Sequence, residues 1–226
     1  MLKPTATSRT VLWVLLGVAL VAGAAALYVD RASKAELVRP QPPTYTLPTL
    51  GQSDPPICVA AFNGDRARVA DLLAAGAAAD TRCSSDRTPL YLACAAKHFS
   101  VVTSLLMRGA QPFASDADGA TPLHAAVGYG SSEMREGRSV RRADDSEKIV
   151  QVLLEQRAPV DLQDSSGDTP LIIAARNGRS EIVRQLLLAG AQREHRDSDG
   201  KTALDWALVN HHEEIVEMLR RPDEHI

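Results

Sequence analysis

The longest apolar run of the chain lies near its amino end, where every residue from Val11 to Val29 is apolar or glycine, 19 in succession. A short basic tail, residues 1–10, precedes this run. A membrane-spanning helix needs about 17 to 25 apolar residues, whereas the apolar core of a cleavable secretory signal usually has about 7 to 15. We therefore expect a transmembrane helix over residues 11–29. The alternative is a signal h-region that is removed at the small residues 22–26, which would give a secreted protein.

The pattern changes twice after this run. Residues 30–53 lack periodic apolar positions and contain four prolines, which is typical of an extended spacer. From residue 54 to residue 226, short apolar segments alternate with polar turns at the spacing of helices. We expect a single folded domain over residues 54–226.

Two sequence landmarks repeat within this domain in the same register. Thr-Pro-Leu begins at Thr88, Thr121 and Thr169, and Thr-Ala-Leu begins at Thr202, with spacings of 33, 48 and 33 residues. A Leu-Leu pair followed by an alanine four residues after its second leucine keeps the same three spacings. Fixed periods of this length indicate stacked supersecondary units.

Each landmark predicts part of a helix pair. The threonine hydroxyl can cap a helix, and the proline suits the first helical position, where no amide donor is needed. Glycines at 76, 109 and 190 can adopt the left-handed conformation that ends the second helix, and Arg157 takes that place in the third unit. The unit is therefore two short helices joined by turns.

These motifs resemble the ankyrin repeat, whose Thr-Pro-Leu-His and Leu-Leu-x-x-Gly-Ala signatures are almost unaltered here. The resemblance implies an all-α solenoid of about five helix-pair repeats, preceded by one N-terminal transmembrane or signal helix. The repeats would occupy residues 54–82, 83–115, 116–163, 164–196 and 197–226, with an insertion at 131–146 between the two helices of the third.

The charge of the domain narrows the choice of partners. Residues 54–226 contain 20 basic and 26 acidic residues, a formal charge of −6, so we do not expect nucleic acid to bind. The basic tail before the apolar run favours an N-terminus in the cytoplasm. The repeats would then be extracytoplasmic, and periplasmic in a bacterium.

The resemblance also implies a binding surface, because ankyrin proteins usually hold a protein partner on the concave face made by turn fingers and inner helices. The corresponding positions here are our candidate contacts: Phe62, Asn63, Asp86, Arg87, Asp118, Tyr129, Asp168, Arg176, Asn177, Asp199 and Lys201. The insertion adds four basic candidates for an acidic partner or a lipid headgroup: Arg135, Arg138, Arg141 and Arg142.

No catalytic or metal-binding motif is present in the sequence, and we expect neither an enzyme nor a cofactor. The acidic turns do not fit an EF-hand loop, because the position that needs glutamate falls on Ala125 or Trp206. His124 fills the last position of Thr-Pro-Leu-His, where the resemblance implies a structural hydrogen bond to a neighbouring turn. No small-molecule substrate is expected.

Two cysteines are candidates for a disulfide under the same resemblance. Cys58 replaces the motif histidine in the first repeat and Cys83 begins the second, and those positions approach each other between stacked repeats. A Cys58–Cys83 disulfide would require an oxidising compartment, and the alternative is two free thiols in the cytosol.

The sequence thus favours a protein–protein interaction module tethered at a membrane, acting as a scaffold, an inhibitor or a protective factor. Two alternatives remain open. One is a structural or stress element of the cell envelope, and the other is an enzyme that uses the concave groove.

Overall fold

The computed structural model of the protein describes residues 50–51, 53–128, 134–135, 138–139 and 145–220. The predicted basic tail, the predicted transmembrane or signal helix and most of the predicted spacer lie outside these ranges. None of the helices within the described ranges is long and apolar enough to span a bilayer.

Ten α-helices in the described ranges form five successive pairs, which we call units 1 to 5. Each pair lies within one of the predicted repeat ranges, and we refer to the first helix of a pair as inner and the second as outer. Their bounds are α1 Pro56–Phe62 and α2 Arg66–Ala74, α3 Pro89–Ala95 and α4 Phe99–Met107, α5 Pro122–Gly128 and α6 Ser146–Glu155, α7 Pro170–Arg176 and α8 Ser180–Leu188, α9 Ala203–Val209 and α10 Glu213–Arg220.

The insertion of unit 3 lies between α5 and α6 in the chain. It contains two short antiparallel strands, β1 (Met134–Arg135) and β2 (Arg138–Ser139), with Arg135 opposite Arg138. The remaining regular elements of the described residues are helices, so the predicted all-α fold class is confirmed. The predicted insertion includes Ser146, but this residue is the buried first residue of α6, so the insertion ends before it.

The threonine landmarks cap inner helices as the sequence indicated. The Thr88 hydroxyl accepts a hydrogen bond from the Tyr91 amide at 3.2 Å, and Thr169 does the same for its helix. In α9, Asp205 completes a capping box, because its carboxylate accepts from the Thr202 amide at 2.9 Å. Hydrogen bonds from the Thr202 backbone and hydroxyl hold the pKa of Asp205 below its ordinary value.

Small residues allow the inner helices to stack closely. Ala93, Ala126, Ala174 and Ala207 occupy the same position of α3, α5, α7 and α9, and all four are fully buried. A larger side chain at this position would force neighbouring units apart, because a packed core has no room for added volume. The motif leucines Leu90, Leu123 and Leu171 are fully buried in one continuous core, and other motif leucines, such as Leu106 and Leu154, are partly buried and pack against it.

A disulfide joins unit 1 to unit 2. It connects Cys58 of α1 with Cys83, the pair predicted from the sequence, and their Cα atoms are 6.0 Å apart. Unit 1 has weaker apolar packing than its neighbours, since Val69 is the one residue of α2 that is fully buried. A covalent link at this end therefore stabilises the unit with the smallest share of the core.

Glycine ends three of the outer helices, and arginine ends a fourth. Gly76, Gly109 and Gly190 have φ values of 96°, 84° and 89°, in the left-handed region. Arg157 holds the same place after α6 with a φ of 58°. A residue with a side chain loses about 1 to 2 kcal/mol of stability in this conformation, a cost that glycine avoids. Glycine in turn loses about 0.5 to 1 kcal/mol because its unfolded chain is more flexible.

We expect Arg157→Gly to raise the free energy of unfolding by about 0.5 to 1 kcal/mol, the difference between these two effects. Thermal unfolding of the oxidised chain, followed by circular dichroism, would show it as a higher Tm. The matched control is Gly109→Ala, which should lower the Tm. An Arg157→Gly protein with an unchanged or lower Tm would contradict this account of the turn.

Candidate protein-binding face

The turns between units form a continuous ladder of fingers. We use finger for residues 83–87, 116–120, 164–168 and 197–201, each of which is a tight turn preceding an inner helix. Backbone hydrogen bonds connect successive fingers: Ala117 N to Ser85 O at 3.0 Å, Ser165 N to Asp118 O at 2.7 Å and Ser198 N to Ser166 O at 2.9 Å. The fingers are therefore held in fixed register along one edge of the stack.

The first aspartate of a finger stabilises the finger itself. Asp116 Oδ1 accepts hydrogen bonds from the amides of Asp118 and Ala120 at 3.0 and 2.9 Å. Asp164 and Asp197 make the same two bonds within their own fingers. These carboxylates are occupied by the backbone, whereas Asp118 and Asp199 are exposed.

A buried ionic network lies between units 4 and 5. Arg176, at the end of α7, forms a bidentate ion pair with Asp168, with nitrogen–oxygen distances of 2.8 and 2.5 Å. The same guanidinium is 3.4 Å from Asp197 of the next finger. All three side chains are buried, so each charge depends on the others for compensation.

Trp206 of α9 completes this network from unit 5. Its indole nitrogen donates to Asp197 Oδ2 at 2.6 Å, and the Arg176 guanidinium lies 4.3 Å from its ring centroid. The Lys201 ammonium lies 4.0 Å from the same ring. Polar groups of unit 5 also hold the end of α7, since Asn210 donates to the Arg176 carbonyl oxygen at 2.9 Å.

His124 connects unit 3 with unit 4. Its Nδ1 accepts from the Thr121 amide at 3.1 Å, which leaves the proton on Nε2, 3.1 Å from the Asp168 carbonyl oxygen. Burial of the neutral ring lowers the pKa of His124 below its ordinary value. The motif histidine thus makes the structural hydrogen bond to a neighbouring turn that the sequence suggested.

The predicted contact residues divide into three groups. Asn63, Asp86, Asp118, Asn177 and Asp199 are exposed, and Phe62, Arg87 and Lys201 are partly exposed. Asp168 and Arg176 are buried, so their prediction as partner contacts is corrected. Tyr129, Arg141 and Arg142 lie outside the described residues, and Arg135 and Arg138 are described at the level of the backbone strands alone.

Sequence reasoning missed the residues that complete these inter-unit contacts. Trp206 replaces smaller aliphatic residues at its repeat position, which was a usable signal for a special contact between units 4 and 5. Lys97 takes a position that is glycine in the sequences of units 1, 3 and 4. Its ammonium donates to the carbonyl oxygens of Ala125, at 3.0 Å, and Ala126. It thereby binds the end of α5 next to the insertion.

The described residues hold no group of three or more His, Cys, Asp or Glu side chains arranged to bind a metal ion. Cys94 is fully buried, which raises the pKa of its thiol to about 12. At neutral pH this thiol stays protonated and is therefore a poor nucleophile.

Comparison with known proteins gives a consistent result. A family model described as ankyrin repeats, in three copies, matches residues 57–136 and 139–226. Human neurogenic locus notch homolog protein 4 is 37% identical over 105 residues, which are 46% of this chain and 4% of that protein. The Neurogenic locus Notch protein of Drosophila melanogaster is 35% identical over 125 residues, 54% of this chain and 4% of its own length.

An ankyrin repeat-containing protein of Schizosaccharomyces pombe is 31% identical over 90 residues, which are 39% of this chain and 36% of that protein. The chain therefore corresponds to a small part of both Notch proteins and to about a third of the yeast protein.

We expect Arg176→Ala to lower the free energy of unfolding by about 3 to 5 kcal/mol, because it leaves the buried Asp168 and Asp197 carboxylates without their cation. Denaturant unfolding of the oxidised chain would measure the loss. The neighbouring exposed Asn177→Ala is the control and should change stability by less than about 0.5 kcal/mol. Equal effects of the two substitutions would contradict the role given to Arg176.

We expect the stability contributed by His124 to decrease on acidification. Below the ordinary histidine pKa of about 6.5, the unfolded chain binds a proton at this residue that the folded chain takes up only at lower pH. The folded state therefore loses stability as the pH falls from the unfolded pKa through the lowered folded pKa. The advantage of the native protein over His124→Gln should shrink between pH 7.5 and pH 5.5 in denaturant unfolding.

His195→Gln, a substitution at a partly exposed histidine, is the matched control for this pH series. A difference between native protein and His124→Gln that stays constant with pH would show that this histidine does not titrate differently on folding.

Proposed function

The chain belongs to the ankyrin-repeat family, and on that premise we propose that it is a protein–protein interaction module tethered at a membrane, which binds a protein partner across its fingers and inner helices. The observation that carries this proposal is the row of exposed polar side chains presented on a rigid finger ladder.

The ladder suits binding because it fixes the positions of its exposed side chains before a partner arrives. Asp86, Asp118 and Asp199 occupy three fingers that are connected to their neighbours by backbone hydrogen bonds. Asn63 and Asn177 add exposed amides at the ends of inner helices α1 and α7. A rigid surface loses little conformational entropy on association, which favours affinity.

The charge of these fingers favours a basic partner. Asp118 and Asp199 form no ion pair among the described residues, whereas Asp86 lies 3.7 Å from Arg82. The structural bonds within the fingers are made by Asp116, Asp164 and Asp197. Electrostatic complementarity raises the association rate and selects among partners more than it raises affinity. We therefore propose a lysine- or arginine-rich protein surface as the ligand.

Membrane attachment and an extracytoplasmic position belong to the same proposal. The apolar run from Val11 to Val29 has the length of a membrane-spanning helix, and the basic residues before it favour an N-terminus in the cytoplasm. The Cys58–Cys83 disulfide supports an oxidising compartment for the repeats. A scaffold, an inhibitor and a protective factor all fit this arrangement.

We propose no catalytic role for the array. Its buried polar side chains His124, Asp168 and Arg176 make hydrogen bonds and ion pairs between units, so their chemistry is used for stacking.

Crosslinking in intact cells, followed by capture of the tagged full chain and identification of bound proteins, tests the proposed face. We expect native protein to capture one specific partner, and Asp118→Lys/Asp199→Lys to reduce its yield at least about tenfold, since two finger charges are reversed. Both aspartates are exposed, so the fold should be unaffected.

The matched control is Asp71→Lys/Glu155→Lys, an equal charge reversal on outer helices α2 and α6. Partner capture that is lost equally in both double variants, or retained in both, would overturn the assignment of the binding face.

A further inference from the structure

The first and last units each expose an apolar side chain at a position that is buried in every other unit. Val59 of α1 is 37% exposed, while its counterparts in units 2 to 5 are between 0 and 3% exposed: Leu92, Ala125, Ile173 and Trp206. Leu208 of α9 is 43% exposed, while its counterparts in units 1 to 4 are 0% exposed: Ala61, Cys94, Val127 and Ala175.

This pattern indicates which neighbouring unit covers each of the two positions. The Val59 position is open in the first unit alone, so elsewhere it is covered by the preceding unit. The Leu208 position is open in the last unit alone, so elsewhere it is covered by the following unit. The two residues are thus the two halves of the contact that every internal junction of the stack buries, and each end of the stack leaves one half exposed.

The outer helices at the two ends carry opposite charges. Helix α10 exposes Glu213, Glu214 and Glu217 beside Arg220, a formal charge of −2, whereas α2 exposes Arg66 and Arg68 beside Asp71, a formal charge of +1. Arg68 takes a position that is apolar and buried in the other four units. The residues at that position are Val101, Ile149, Ile182 and Ile215. The N-terminal end therefore presents a cation where an internal unit would present an aliphatic side chain.

An internal junction shows how such charges meet. Arg184 of α8 lies 4.0 Å from Glu214 of α10, which forms an ion pair between adjacent outer helices. Glu217 occupies in unit 5 the repeat position that Arg184 occupies in unit 4. The position of Glu214 in unit 5 corresponds in unit 1 to Ala67, which lies between Arg66 and Arg68. Stacking unit 1 onto unit 5 would place an acidic group against two basic ones.

We propose that the C-terminal face of unit 5 binds the N-terminal face of unit 1 in a second copy of this chain, so that Leu208 packs against Val59 and the acidic edge of α10 meets the basic edge of α2. The contact continues the established interface between successive units across two molecules. It joins two different surfaces, so it is heterologous and extends into an open chain unless its rotation closes a ring. The proposal does not depend on the partner of the finger face.

A photo-crosslinking amino acid in place of Leu208, in the full chain expressed in cells beside a differently tagged native copy, tests the arrangement. We expect crosslinks between copies, and peptide mapping should place them in residues 56–74 of the second copy. Leu208 is exposed, so the replacement should not disturb folding. The same photo-crosslinker at Leu188, which is exposed on α8 away from either end, should give no crosslink to these residues.

Three outcomes would overturn the proposal. Crosslinks to residues 203–220 of the second copy would indicate a tail-to-tail pair instead. Crosslinks to a different protein would show that another partner covers this face, and an absence of crosslinks between copies would show that the chain does not associate through it.

Charge reversal provides an independent measurement. Introduced into both copies, Glu217→Arg and Arg68→Glu should each lower the crosslink yield about threefold, because a favourable pair becomes a repulsive one at an exposed site. A chain with both substitutions restores opposite charges across the contact and should recover the native yield. Yields that are unchanged in both single variants would overturn the proposed orientation of the two copies.

Discussion

No unit of this protein can bury its apolar surface alone, and the rest of the structure depends on that constraint. An inner and an outer helix of seven to ten residues each leave one face of leucine, isoleucine and valine open, and the next unit covers it. Stacking must therefore be close and in register. The alanines shared by the inner helices allow the close approach, and the hydrogen-bonded fingers maintain the register.

The third residue of the inner helix differs between the repeats, and so does the contact that it makes with the next unit or with its own helix. Unit 1 has Cys58 in a disulfide to the second unit, and unit 3 has His124 in a hydrogen bond to the fourth. Unit 4 has Ile172, and its polar link comes instead from Arg176, while unit 5 has Asp205 in a capping box. Unit 5 has no following unit among the described residues, and its residue at this position caps its own helix instead.

In this structure the residues that stabilise the stack are buried, whereas the residues available to bind a partner are exposed. Buried polar groups such as Asp168 and Arg176 connect units, and their substitution would disturb the array before it informed on any partner. Exposed side chains such as those of Asp118 and Asp199 lie on neighbouring fingers of the same ladder but are not needed for stacking. A substitution that is meant to probe binding in this family member should therefore be chosen by burial as well as by position in the repeat.

The sequence by itself determined the helix pairs, their caps and turns, and the position of the insertion, because these depend on local preferences repeated at a fixed period. The family resemblance added the Cys58–Cys83 pairing and the structural role of His124. Only the tertiary structure decided which charged residues are surface groups. Arg176 is buried because Asp197 and Trp206 reach it from the next unit, and the direction of a side chain across such a junction is not encoded in its own repeat.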